Sequence, residues 1–215
     1  MRYLLIVFLL FVSFGLLAQS SGRAEKHVLY LTKSNRDTVE IIAEANYNVT
    51  DSALLTVNSI KNKKRRKLQQ FKTPVTFPLE VKATSFDSKK GILVTCDPAG
   101  KWGNAFLYLF DETKSRFKEI KEFRELGLIE PVVHKSNQFF YSYISCGCAD
   151  DCWVSKLFTV KAYKLHVLAE LSCDCSKLHA TYTKTTLTTS CEAYNNGQKF
   201  ENIAKYWRTA IKKGL

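Results

Sequence analysis

The fold is indicated by a stretch near the end of the chain that reads Lys164-Leu165-His166-Val167-Leu168-Ala169-Glu170-Leu171-Ser172-Cys173. Every second residue from Leu165 to Cys173 is apolar, and the residues between them are mostly polar. This alternation is typical of a β-strand with one buried face. The stretch therefore predicts a strand that places Cys173 in the core.

Runs of the same kind recur through the chain. Residues 38–42 alternate, residues 91–95 and 105–110 are continuous apolar runs, and residues 181–189 are rich in β-branched side chains. Continuous apolar runs of this length are expected of strands buried on both faces, and β-branched residues suit a pleated surface. Turn-forming residues at 97–100, 111–115 and 195–197 separate the runs. The pattern predicts an all-β protein.

A weak internal repeat has a period near 50 residues. Three predicted hairpins span 54–71, 106–123 and 154–171, and their second strands begin near Leu68, Phe117 and Leu165. Similar strands ending at Cys96 and Cys146 precede the second and third hairpins. About four strands per repeat is typical of propeller blades. The spacing predicts a propeller-like array of short antiparallel blades, with an ordinary β-sandwich as the alternative.

The last segment differs, because its apolar residues are spaced as on a helix. They are Phe200, Ile203, Ala204, Trp207 and Ile211. Lys212 and Lys213 favour the negative end of a helix, and Gly214 can end it. Residues 198–213 are predicted to form a short C-terminal helix or tail that packs against a sheet.

The first twenty residues resemble a secretory signal peptide. Arg2 precedes an apolar run of roughly 14 residues, short of the ~20 needed to span a bilayer, and small residues at Ala18 and Ser20 offer cleavage sites. We predict a signal peptide at 1–20, a single domain at 21–215, no integral membrane segment after cleavage, and a secreted or periplasmic location.

The chain is strongly basic, with 32 Lys and Arg against 20 Asp and Glu and a net charge of +12. Cleavage would remove only Arg2 and leave +11. Such a charge attracts anionic partners, but it also serves solubility. The predicted partner is a protein or an anionic envelope polymer rather than nucleic acid, and the chain is predicted to be a monomer. The basic run at 61–67 is predicted to be a solvated hairpin tip, with contact to an anionic surface as the alternative.

Seven cysteines indicate disulfides in an exported protein. Six are predicted to pair, with Cys96 left over; they are Cys146, Cys148, Cys152, Cys173, Cys175 and Cys191. A Cys152–Cys173 or Cys148–Cys175 bridge would close the third hairpin at its open end. The spacing does not suit a four-thiolate zinc site, so no metal and no cofactor is predicted. An envelope thiol-redox or metal-binding protein that uses residues 146–152 is the alternative function.

No catalytic motif is present. The four histidines form no H-E-x-x-H or similar ligand pair, and no serine lies in G-x-S-x-G. The sequence therefore predicts a binding protein, not an enzyme. The predicted binding loops are 98–104 and 147–152, and the candidate binding residues are Trp102, Asn104, Asp150 and Asp151.

Three motifs carry a resemblance to a known family: FDSKKGILV at 86–94, GKWGN at 100–104 and FLYLFDETKSRF at 106–117. Across residues 77–172 the chain resembles secreted, propeller-like bacterial proteins related to FG-GAP repeats, some of which inhibit animal-type lysozymes. The resemblance implies a propeller-like fold, an inhibitor-like binding function and a calcium loop before the strand at 92–94.

The calcium loop is degenerate in this chain. When Asp87 is aligned with the third ligand, Ala83 and Ser85 take the first two ligand positions, and Ser88 and Gly91 replace a glycine and an acidic residue. Calcium needs six to eight oxygen ligands, so we predict that this loop binds none. A chain of this charge would also repel a basic lysozyme.

Overall fold

The computed structural model describes residues 24–33, 37–46, 51–74, 78–96, 104–128, 131–133, 139–147, 152–174, 177–182, 185–189, 191 and 199–214. In this part of the chain, nearly all regular structure is antiparallel β-sheet. The predicted signal peptide at 1–20 lies outside the described residues.

The strands form three antiparallel sheets. Sheet A has the order β1-β2-β3-β4, with strands β1 (Ala24–Thr32), β2 (Thr38–Asn46), β3 (Ser52–Lys61) and β4 (Lys64–Pro74). Sheet B has the order β5-β6-β7-β8, with strands β5 (Leu79–Phe86), β6 (Lys89–Cys96), β7 (Asn104–Asp111) and β8 (Arg116–Glu119). Sheet C has the order β14-β13-β12-β11-β10-β9, with strands β9 (Val132–Val133), β10 (Phe140–Gly147), β11 (Cys152–Lys161), β12 (Lys164–Asp174), β13 (Lys177–Tyr182) and β14 (Thr185–Thr189). The helices are α1 (Lys121–Glu125) and α2 (Lys199–Lys212).

The predicted all-β, blade-like array is confirmed, and its period has a structural meaning. Leu68, Phe117 and Leu165 lie in β4, β8 and β12, which are the fourth strands of successive sheets. The strands that end at Cys96 and Cys146–Gly147 are the second strands of sheets B and C. Each unit of about fifty residues is thus a four-stranded meander, and sheet C adds the hairpin β13–β14.

The sheets pack face to face, with sheet B in the middle. Along β7, Phe106, Tyr108 and Phe110 belong to the core shared with sheet A, whereas Leu107 and Leu109 belong to the core shared with sheet C. All five are buried. A strand buried on both faces reads as a continuous apolar run, which is why residues 105–110 show no alternation.

A third core lies between sheet C and helix α2. It contains Trp153, Leu157 and Leu171 from the sheet and Ile203 and Trp207 from the helix. The predicted C-terminal helix is therefore confirmed. It packs against sheet C through Ile203, Trp207 and Ile211 of the residues that its spacing marked as apolar, whereas Phe200 is exposed.

Helix α1 was not predicted, since the sequence pattern suggested helical spacing only at the end of the chain. It spans five residues, too few for an amphipathic period to show. Its end has a recognisable cap. The Gly127 amide donates to Arg124 O at 2.9 Å, the Leu128 amide donates to Phe123 O at 3.1 Å, and Gly127 has a φ of 63°. This is a Schellman motif, and Gly127 is the one residue that could have indicated it.

The degenerate calcium motif is a tight hairpin. Ala83 and Ser85 lie within β5, and Asp87 and Ser88 form the two-residue turn to β6. Both turn residues have positive φ, 47° and 62°. Gly91 is buried beneath β7, where a Cβ atom would meet Tyr108 O at 2.5 Å. The acidic side chain that the related loops carry at this position would therefore not fit.

The predicted Cys152–Cys173 bridge is wrong, because Cys173 is bonded to Cys191. The residue opposite Cys173 across the β11–β12 ladder is Trp153. Neighbouring residues of a strand point to opposite faces, so Cys152 faces away from Cys173. Cys152 is itself disulfide-bonded. The Cys148–Cys175 alternative lies outside the described residues.

The disulfide ties the end of the β13–β14 hairpin to the core under α2. Both cysteines are buried, and 18 residues separate them. We expect the double variant Cys173→Ala/Cys191→Ala to lower the free energy of unfolding by about 3 kcal/mol, because closing a loop of this length restricts the unfolded chain. Urea unfolding followed by circular dichroism measures this loss.

The double variant is preferable to a reducing agent, because reduction would also open the bond at Cys152. The matched control is Ser172→Ala, a half-buried neighbour in β12 with no sulfur, for which we expect less than about 1 kcal/mol. An unchanged unfolding midpoint in the double variant would contradict a stabilising role for the bond.

Candidate functional site

The meander topology brings several strand connections to one end of the molecule. Among the described residues, they are the turns at 62–63, 87–88, 112–115 and 162–163, together with Lys33 and Asp37 at the facing ends of β1 and β2, and we call this region the turn end. Lys90 Nζ donates to Thr32 O, which joins the turn ends of sheets A and B. Lys89 Nζ of sheet B lies 5.3 Å from the ring centroid of Tyr163 in sheet C. Turns far apart in sequence therefore meet in one surface.

Three of these turns have the same unusual backbone. Asn62-Lys63, Asp87-Ser88 and Ala162-Tyr163 have positive φ at both residues, between 47° and 63°. This is the type I′ geometry, which matches the twist of a two-residue hairpin and normally uses Asn-Gly or similar pairs. Left-handed backbone costs roughly 1–2 kcal/mol for a residue such as Tyr163 or Lys63. Lys63 and Tyr163 therefore occupy tight turns although the left-handed backbone is unfavourable for residues with long side chains.

The turn at 112–115 is fixed by Asp111. Its Oδ1 accepts hydrogen bonds from Thr113 Oγ1 at 2.6 Å, from the Thr113 amide at 3.1 Å and from the Lys114 amide at 3.2 Å. These bonds, the side-chain bond from Thr113 first, lower the pKa of the Asp111 carboxyl below its ordinary value. Asp111 therefore remains an ionised acceptor at the edge of the turn end.

The turn end holds most of the net charge of the described residues. The turns and the three strand residues on either side of each carry thirteen Lys and Arg but only five Asp and Glu, whereas the other described residues carry thirteen and ten. The cations of the turn end are Lys33, Lys61, Lys63, Lys64, Arg65, Arg66, Lys89, Lys90, Lys114, Arg116, Lys118, Lys161 and Lys164, and its acids are Asp37, Glu40, Asp87, Asp111 and Glu112. One end of the molecule is thus strongly positive.

The basic run at 61–67 forms the tip of the β3–β4 hairpin, and its seven residues are all exposed. Arg65 is held differently from its neighbours. Its guanidinium contacts Glu40 Oε1 at 2.7 Å, and Asn58 donates to the other carboxylate oxygen at 2.9 Å. Glu40 is 1% exposed, so Arg65 compensates a buried charge. The remaining cations of the tip project into solvent.

A depression that contains Tyr163 lies between the turns of sheets B and C. It has a volume of about 330 Å³. Its lining residues are Asp87, Ser88, Lys89, Lys90, Phe110, Asp111, Glu112, Thr113 and Tyr163. We call it the Tyr163 depression.

Lysine ammonium groups lie close to the ring of Tyr163. Lys89 Nζ and Lys118 Nζ are each 5.3 Å from its centroid. Burial raises the pKa of the Tyr163 hydroxyl, and the negative charges of Asp111 and Glu112 raise it further. Tyr163 is therefore a neutral ring with both ammonium and carboxylate groups near it.

The sequence-predicted binding residues lie elsewhere. Trp102, Asp150 and Asp151 are outside the described residues. Asn104 begins β7, where it pairs with Cys96. The strand ends that flank 97–103 and 148–151 lie at the opposite end of sheets B and C from the turn end. The two predicted loops therefore connect strands at one common end, and the described cluster of charge lies at the other.

Sequence reasoning missed the turn end because only one part of it is continuous in sequence. The run at 61–67 stands out, but the cations near 89–90, 114–118 and 161–164 occur in ones and twos. A sequence signal did exist, since lysines and arginines flank the four hairpin turns at 62–63, 87–88, 112–115 and 162–163. That signal becomes visible only once the strand directions are fixed.

A second depression, of about 470 Å³, lies at the far end of sheet A. Lys26, Glu44, Leu54 and Lys72 are among its lining residues. Lys26 Nζ and Glu44 Oε1 are 2.8 Å apart, and both side chains are about half exposed. The depression is larger than the Tyr163 depression, but its charged groups compensate one another and it has no excess of one sign.

The described residues contain neither a cluster of metal-ligand side chains nor a helix suited to cross a membrane. No group of three or more His, Cys, Asp or Glu side chains is arranged to hold a metal ion in this part of the chain. None of the described helices has both the length and the apolar character needed to cross a bilayer.

Comparisons with known proteins give little for this chain. No family model matches it, and no curated protein matches it. Among solved structures, it is similar to one described as "Structure of a Xanthomonas Type IV Secretion System related protein", with 12% sequence identity and a TM-score of 0.47. That match covers 78% of this chain and 99% of the other.

Proposed function

We propose that this protein is an exported, non-catalytic binding protein that attaches to an anionic polymer of the cell envelope through its turn end. The observation that carries the proposal is the segregation of charge, thirteen cations against five acids at the turn end. A surface of one sign raises the local concentration of an oppositely charged partner and speeds its capture. A plain solubility charge would have no reason to gather at one end.

Export and the absence of catalysis belong to the same proposal. The signal-peptide pattern at 1–20 supports a secreted or periplasmic location. The disulfide at Cys173–Cys191 suits an oxidising compartment. The proposed relationship to the propeller-like family related to FG-GAP repeats also favours a binding role. A basic lysozyme is a poor partner for this surface, because like charges would oppose its approach.

The hairpin tip provides the test of the proposal. The triple variant Lys63→Asn/Lys64→Gln/Arg66→Gln removes three exposed cations. Asparagine is chosen at position 63 because it tolerates the left-handed backbone there. Arg65 is kept because it neutralises Glu40. We expect affinity for inorganic polyphosphate to fall about tenfold at low salt, as each lost phosphate contact weakens binding. We also expect binding of the wild type to weaken steeply as salt rises.

The matched control removes three cations from helix α2, in the variant Lys205→Gln/Arg208→Gln/Lys212→Gln. These residues are exposed and lie outside the turn end, so the change in net charge is the same. Isothermal titration calorimetry at two salt concentrations compares the variants. Equal losses in both triple variants would show that only the net charge matters, and the turn end would not be the binding surface.

A further inference from the structure

The Tyr163 depression has a chemistry that charge attraction alone does not explain. The Tyr163 ring is approached by the ammonium groups of Lys89 and Lys118, each 5.3 Å from its centroid. The lining also includes Asp111 and Glu112, the two carboxylates whose charges raise the pKa of Tyr163. A ligand that fills this space meets cations, an apolar ring and carboxylates together.

These groups distinguish between classes of polyanion. Polyphosphate offers only acceptor oxygens, so it gains from the lysines but is repelled by Asp111 and Glu112. A sugar acid offers a carboxylate for the lysines and hydroxyl donors for carboxylate acceptors. Its ring also has an apolar face that can lie against an aromatic side chain. All three groups of the depression are then matched by one ligand unit.

The size and setting of the depression suit such a unit. A volume of about 330 Å³ lies at the lower end of ligand pockets, which run from roughly 300 to 1,000 Å³. Its residues come from the tight turns at 87–88, 112–115 and 162–163. Asp111 is fixed by three hydrogen bonds within its own turn, so part of the acidic wall is already positioned before a ligand arrives.

We propose that the Tyr163 depression binds a carboxylated sugar unit, so that the anionic polymer held by the turn end is a uronic-acid-type glycan. This inference rests on the proposed function, since it names the ligand class of the same surface. Lys89 and Lys118 pair with the sugar carboxylate, the Tyr163 ring packs against the sugar ring, and Asp111 accepts from sugar hydroxyls.

The probes are oligogalacturonate, its uncharged methyl ester and inorganic polyphosphate. The variant is Tyr163→Asn, which removes the ring but tolerates the left-handed backbone of the turn. We expect it to weaken oligogalacturonate binding about tenfold, the value of one lost ring contact, and to leave polyphosphate binding within about twofold. Calorimetry with each probe measures both affinities.

Two controls accompany this variant. Phe200→Ala removes an exposed ring of helix α2, 67% exposed and outside both the depression and the turn end, and should leave all three affinities unchanged. Tyr163 also packs against the core between sheets B and C. Should the Asn variant fail to fold, Glu112→Gln replaces it, because Glu112 is an exposed lining residue. Loss of this carboxylate should weaken oligogalacturonate binding, which loses an acceptor for its hydroxyls, and should not weaken polyphosphate binding, which loses a repulsion.

The outcomes separate the two proposals. Binding of the methyl ester as tight as that of the acid, or equal losses for oligogalacturonate and polyphosphate in the folded Tyr163→Asn variant, would overturn the sugar-acid inference and leave the charge-based function standing. If neither anion binds to the wild type more tightly than the methyl ester at low salt, the proposed function itself is wrong.

Discussion

Replacing Gly91 with valine should destabilise the protein by about 4 kcal/mol or more, and replacing it with alanine by about 3 kcal/mol. A Cβ atom at this position would lie 2.5 Å from Tyr108 O and 2.6 Å from Leu109 Cδ2. The first contact is with backbone of β7, which is buried between two sheets and has no room to retreat. Alanine saves roughly 0.5–1 kcal/mol of backbone entropy relative to glycine, which offsets only part of the clash.

Urea unfolding of Gly91→Ala and Gly91→Val measures these losses. The matched control is Ser85→Thr, which adds one methyl group at an exposed position of the neighbouring strand β5. Threonine suits strands, so we expect that change to stay within about 0.5 kcal/mol. A Gly91→Ala protein as stable as the wild type would show that β6 and β7 can separate more easily than their packing indicates.

The strands were predictable because the order of apolar and polar residues shows which faces of a strand are buried. One-sided strands such as β12 alternate, and two-sided strands such as β7 are continuous, so both could be recognised without knowing their neighbours. The order of the strands within each sheet could be anticipated because each strand turns back on the one before it. Helix α1 escaped prediction because one helical turn carries no period, and its Gly127 cap was the only signal.

The disulfide pairing failed for a different reason. Chain proximity placed Cys152 near Cys173, but the face on which a side chain lies decides whether two cysteines can bond. Alternation put Cys173 on the buried face, and the same rule applied to Trp153 turns Cys152 to the other face. The correct partner, Cys191, follows the hairpin β13–β14, which pairs with β12 in sheet C. Its position next to Cys173 therefore depends on two strands whose pairing the cysteine spacing does not show.

The candidate site was the least predictable part, because it depends on relations between sheets. The lysines at 89–90, 118 and 164 are unremarkable in sequence, and Tyr163 occupies a turn position where glycine or asparagine is expected. Only the packing of sheet B against sheet C brings the lysines at 89–90 and Tyr163 to one depression, with Lys118 beside the Tyr163 ring. The predicted loops at 98–104 and 147–152 drew attention through Trp102 and Asp150-Asp151, whose local sequence is more distinctive.

Removing the indole of Trp207 should cost about 4 kcal/mol of stability in the variant Trp207→Ala. The side chain is 1% exposed and lies in the core that joins α2 to sheet C. Its Nε1 donates to Ser155 Oγ at 2.8 Å, and that hydroxyl donates to Ser142 O at 2.9 Å. The indole thus anchors the helix both by burial and through a buried hydrogen-bond chain to β11 and β10.

The two contributions can be separated with more conservative variants. Trp207→Phe keeps much of the apolar volume and loses the donor, whereas Ser155→Ala leaves the buried Nε1 without its acceptor and should cost about 1–3 kcal/mol. A double-mutant cycle built from these two substitutions should show a coupling energy of at least about 0.5 kcal/mol, as expected of residues in one network.

Phe200 provides the matched control for Trp207. It is an aromatic residue of the same helix, but it is 67% exposed and contacts only the rim of the core through Tyr143. We expect Phe200→Ala to lower the free energy of unfolding by less than about 1 kcal/mol. Urea unfolding followed by far-ultraviolet circular dichroism measures this loss for both variants. If Phe200→Ala lowered the free energy of unfolding as much as Trp207→Ala, burial of the indole would not explain how the helix is held. The anchoring role of Trp207 would then be wrong.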